Sequence, residues 1–174
     1  EHVGHEKTPM KKIKKLNLNF FQFFRQHLRE KSQDILLELK FDEEKMLLGD
    51  NTIPFRTTSE TNSSNRFALV VLLAARKCES PQMWVTREEI KSRIYNNNDN
   101  AYKNIEDAIL YVNGKVDELN KSEKYPLPKL IESDSEGSRY RLNERITEKS
   151  IKFDGAYDRI TDYQLDRLLS RLLS

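Results

Sequence analysis

At 174 residues, 37% hydrophobic and 33% charged, the chain suits one domain with appendages, and it lacks the run of about 18 apolar residues that a membrane span requires. Its single cysteine, Cys78, excludes an intrachain disulfide framework and points to a reducing, cytoplasmic setting. The net charge of +2 is uneven: five lysines against Glu1 and Glu6 leave the first 17 residues at +3 and the other 157 at −1, a poor electrostatic lure for a polyanion.

The chain begins at Glu1 and reads as a fragment or a processed product. After a basic leader, Lys14 to Lys31 repeats apolar residues every fourth position (Leu16, Phe20, Phe24, Leu28), which predicts an amphipathic helix. Ile35 to Phe41, Lys45 to Leu48 and Ile53 to Arg56 read as three short strands, with Gly49-Asp50-Asn51 as a turn. Phe67 to Ala75 is apolar on nearly every face, as in a helix at the centre of a core. Met83-Trp84-Val85 is a brief strand, and Thr86 with Glu89 opens a second helix through Ile90 and Ile94. A third helix over Ala101 to Leu119 buries Ile105, Ile109, Val112, Val116 and Leu119 and carries Gly114 on its exposed side.

Lys129 to Ser133 and Ser138 to Asn143 form a hairpin across Asp134-Ser135-Glu136-Gly137. A last helix starts at a Thr161–Gln164 capping box and presents Leu165, Leu168, Leu169, Leu172 and Leu173 as one stripe, which packs on its own domain or serves as a dimerisation surface. The predicted core is Phe67, Leu69, Val70, Leu72, Leu73, Ile90, Ile94, Ile105, Ile109, Val112, Val116, Ile131, Tyr140 and Leu142. The expected division is a leader and helix over 1–34, an α+β domain over 35–145 and a helical extension over 146–174.

Nothing in the chain resembles catalytic machinery. The three histidines are His2 and His5 in the leader and His27 between Arg25 and Arg29; there is no metal-ligand motif, nucleophile elbow or glycine-rich phosphate loop. The expectation is a non-enzyme without cofactor or metal. Cys78 reads as a small buried hydrophobe.

Four stretches, KMLLGDNTIPFRT, FALVVLLA, WVTREEIKSRIY and KLIESDSEGSRYRLN, with NIEDAILYVNGKV between the last two, carry a resemblance. Over residues 35 to 143 the chain resembles the winged helix-turn-helix output domain of OmpR/PhoB-type response regulators, without a receiver domain. That resemblance implies that the third helix enters a DNA major groove, that the hairpin is a wing against the minor groove, and that the Asn96–Lys103 turn meets other proteins. Carried over residue by residue, it makes Arg87, Lys91, Lys103, Asn104, Tyr111, Asn113, Lys115, Arg139 and Arg141 the DNA-contacting set, in a dimeric transcription regulator of double-stranded DNA.

The matching groove-facing positions Asn104, Asp107, Leu110, Tyr111 and Asn113 include no arginine or lysine, residues 101–121 sum to −1, and the hairpin tip adds Asp134 and Glu136. The second expectation is therefore a winged-helix interaction module that meets a protein, or itself, without binding DNA. An acidic or apolar surface over the third helix and hairpin favours the protein partner; a continuous positive one favours DNA.

Overall fold

In a computed structural model of the chain, the described residues are 34–56, 63–96, 98–121, 129–154 and 159–174. The basic leader and its phenylalanine-rich helix expectation lie outside them. Three strands come first, β1 (Leu37–Lys40), β2 (Lys45–Leu48) and β3 (Asn51–Pro54), in an antiparallel meander. Period-two alternation puts Leu37, Leu39, Met46, Leu48 and Ile53 inside. Gly49, at φ +60°, makes the β2–β3 turn in a conformation that favours glycine. Asn51, expected in that turn, belongs to β3, and Pro54 is tolerated because β3 lies at the sheet edge.

Helix α1 (Ser63–Glu79) is buried without a break from Phe67 to Cys78, which explains its all-round apolar sequence. At one end Phe67 meets Phe55 and Phe41 of the leading sheet, at centroid distances of 5.5 and 6.4 Å. Along its length it packs against α2 (Arg87–Ile94), α3 (Ala101–Asn120) and the hairpin strand β6 (Arg139–Leu142). The Thr86 hydroxyl accepts from Glu89 N–H and starts α2. The Glu89 carboxylate does not return to the cap; it pairs with Arg76 and Arg93.

Strand β4 is Val85–Thr86, shifted from the expected Met83–Val85, and it pairs with β6, which pairs with β5 (Ile131–Ser133). The molecule is thus α+β, with two small sheets, one ordered β3-β2-β1 and closed by a later strand, β7 (Ile151–Phe153), beside β1, the other ordered β4-β6-β5. Of the expected core, all but Ile109 are buried; Ile109 is partly covered at the margin of α3.

The end of the chain corrects two expectations. Residues 146–174 are not an appendage. Ile146 is buried, β7 (Ile151–Phe153) adds to the leading sheet parallel to β1, and α4 (Asp162–Leu172) packs on α1. Residues 34–174 accordingly make one compact unit. The leucine stripe expected at a dimer interface is used internally: Leu165, Leu168, Leu169 and Leu172 are buried, and Leu173 is partly buried against the same core. The Thr161–Gln164 capping box that starts α4 has both of its reciprocal hydrogen bonds.

Arg76 joins the parts, with one buried guanidinium reaching Glu79, Glu89 and Asp162 from α1, α2 and α4 at 2.7–2.8 Å. Burial opposes its charge, but the three carboxylates outweigh burial and raise its pKa.

Candidate functional site

The α3 and hairpin surface is built from the bottom by turn chemistry. Gly137, at φ +63°, closes the tip, and the Asp134 carboxylate accepts from Ser138 N–H at 2.8 Å and Arg139 Nε at 2.9 Å. The Arg139 guanidinium holds that carboxyl well below the usual carboxylate range, helped by the Ser138 N–H. Buried Tyr140 ties the tip to α2: its hydroxyl donates to Gly137 C=O at 2.9 Å and accepts from Arg87 Nε at 3.1 Å.

Asn113, expected to read bases, does something else. Its side-chain amide donates to Ile131 C=O and its oxygen accepts from Ile131 N–H, both at 3.0 Å. On either side of β5, Leu130 C=O bonds to Asn143 N–H and Asp134 N–H to Arg139 C=O, so Ile131, out of phase with them, turns its polar groups away from β6. The Asn113 amide stands there as a neighbouring strand would. Tyr111 is also corrected: it is half-buried, its ring 6.4 Å from Phe55 and under the Arg66 guanidinium at 3.8 Å. Asn104 is half-buried, and its carbonyl accepts from the Tyr95 hydroxyl at 3.3 Å. Burial pushes the Tyr95 phenol up to about 12.

The six expected cations are brought to one region but are mostly matched by carboxylates. Arg87 pairs with Glu106, Arg139 with Asp134, Arg141 with Glu132 and Lys115 with Glu118. Lys91 lies 4.9 Å from the Tyr102 ring centroid, and Lys103 is exposed without a salt-bridge partner among the described residues. Residues 87–94, 101–120 and 131–142 together hold seven lysines and arginines and nine aspartates and glutamates.

Two aromatics not assigned a role from sequence belong to this surface. Exposed Tyr102 lies between Arg87 and Lys91 and donates a hydrogen bond to Glu88, which raises its pKa. Trp84 carries Arg141 at 4.4 Å and Arg139 at 5.9 Å. The arginines over Trp84 come from the pairing of β4 with β6, a contact between distant segments that spacing along the chain does not record.

The outward stripe of α3 holds Glu106, Asp107, Leu110, Gly114 and Asp117. Leu110 is 70% exposed. Among the described residues a Cβ built on Gly114 meets nothing within 4 Å, so the glycine costs the helix about 1 kcal/mol relative to alanine without relieving any contact among them. Among the described residues no group of three His, Cys, Asp or Glu is arranged to hold a metal, and no helix is long and apolar enough to cross a membrane. No family model, curated protein or solved structure matches this chain.

Proposed function

We propose that residues 34–174 are a winged-helix domain of the OmpR/PhoB type that works as a protein-interaction module, without reading duplex DNA. The winged-helix part rests on element order: a leading sheet, three helices and a closing hairpin, with β4 paired to that hairpin. The functional part rests on one observation. Four of the six cations expected to meet phosphate are held by carboxylates, and carboxylates outnumber cations along α2, α3 and the β5–β6 hairpin. Each added carboxylate repels phosphate and removes the counterion-release gain that drives DNA binding. Asn113 and Tyr111 are engaged inside the fold and contribute nothing to a groove.

The DNA reading keeps one supporting feature, a cationic corner where Arg87 and Lys91 lie over the Tyr102 ring, with exposed Lys103 next in sequence. Anisotropy of a labelled 20-bp duplex with the full chain, between about 50 and 200 mM salt, separates the two. An interaction module binds no tighter than the weak non-specific range, on the order of 10⁻⁴ to 10⁻⁶ M. Submicromolar binding that falls steeply with salt, and that weakens by about 1–3 kcal/mol in each of Asn104→Ala and Arg139→Ala, would refute the proposal.

A further inference from the structure

Resting on the interaction-module reading, we infer that the outward face of α3 from Glu106 to Asp117 is a docking seam. Its occupant is a helix of a partner protein that sets lysine or arginine beside an apolar side chain.

Three observations converge on this stripe. Leu110 projects at its middle, 70% exposed, and does not belong to the hydrophobic core formed by the described residues. Gly114 follows one turn later on the same face. It weakens the helix, yet a side chain there would meet open space, so nothing within the described fold asks for glycine. A second backbone coming close over α3 does ask for it, because only the missing Cβ leaves that room. Leu110 and Gly114 thus form a knob beside a gap along one i, i+4 row, the relief that ridges-into-grooves helix packing uses.

The third observation is charge. Glu106, Asp107 and Asp117 surround this pair and the stripe holds no cation between them; Lys103 and Lys121 come only at its ends. Glu106 is paired with Arg87, but Asp107 and Asp117 have no salt-bridge partner among the described residues. The complementary surface is basic at its flanks and apolar at its centre, which describes an amphipathic cationic helix.

The probe is a labelled 18-residue peptide of leucine and lysine at helical spacing, with glutamate replacing lysine in the control. The full chain is expected to bind the lysine peptide with a Kd on the order of 10–100 μM at low salt and to ignore the control. Gly114→Leu fills the gap and should weaken binding at least about tenfold while the thermal midpoint holds or rises, since leucine outranks glycine as a helix former. Asp107→Lys with Asp117→Lys should weaken it similarly. A parent chain that does not bind the lysine peptide, or a Gly114→Leu chain that binds it as tightly as the parent, overturns the seam. Peptide binding indifferent to both sets of changes removes the seam and leaves the interaction-module reading in place. That reading falls on the duplex titration instead.

Discussion

Replacing Asn113 with alanine removes two hydrogen bonds in one step and leaves both Ile131 backbone groups unpaired. Ile131 is 2% exposed, so water reaches the abandoned N–H and C=O poorly. A typical hydrogen bond contributes about 1 kcal/mol net, and a buried group left unsatisfied costs about 1–3 kcal/mol. Partial hydration through the space the side chain vacates lowers the sum, giving an expected loss of about 2–3 kcal/mol. For a unit of this size, that lowers the thermal midpoint by roughly 6–12 °C. Asn113→Asp should be comparably harmful, because a carboxylate keeps an acceptor for Ile131 N–H but faces Ile131 C=O with no proton to donate. The assay is urea and thermal unfolding followed by circular dichroism, with Asn104→Ala as a surface reference expected within about 0.5 kcal/mol of the parent. An Asn113→Ala loss below about 0.5 kcal/mol would refute the assignment of this side chain as the cover of the β5 edge.

Leu169→Ala, at a site 3% exposed, should cost about 2–4 kcal/mol and leave a single unfolding transition; a separate early transition would show that α4 is an appendage after all. Lys77→Met should stabilise the fold at neutral pH. Burial lowers the Lys77 pKa, with Arg141 adding repulsion against the attraction of Glu132, Glu148 and Glu144. The folded chain therefore releases this proton before the unfolded chain does. The penalty is full below the folded pKa and fades as pH rises toward the ordinary lysine value of 10.5, so the parent gains stability in that window. The gap between variant and parent should narrow there; a gap that stays constant with pH would rule out the charge as its cause.

Much of the fold was readable because its causes are local. The apolar run from Phe67 to Ala75, the spacing from Ile105 to Val116, and the signals at Thr86, Gly137 and Thr161 each act within a few residues, and the elements formed near where they were expected. Strand β7 was missed: Ile151-Lys152-Phe153 alternates correctly but is only three residues long, and its partner β1 is more than a hundred positions away. The leucine stripe was recognised with two destinations open, since an amphipathic helix looks the same in sequence whether its own domain or a second chain covers it. The candidate site was the least legible part. Composition revealed the shortage of positive charge, but not that Arg87 would meet Glu106 or that Arg139 would meet Asp134.

By itself, the sequence determined which segments become helices and strands, which of their faces are apolar, and that the body carries no excess of positive charge. These follow from periodicity, turn chemistry and counting. Only the tertiary structure decided that the tail closes the leading sheet, that Asn113 fastens a strand edge, and which cations are matched by carboxylates. Each of those depends on which distant groups come within hydrogen-bonding or ion-pairing distance, and spacing along the chain carries no record of that.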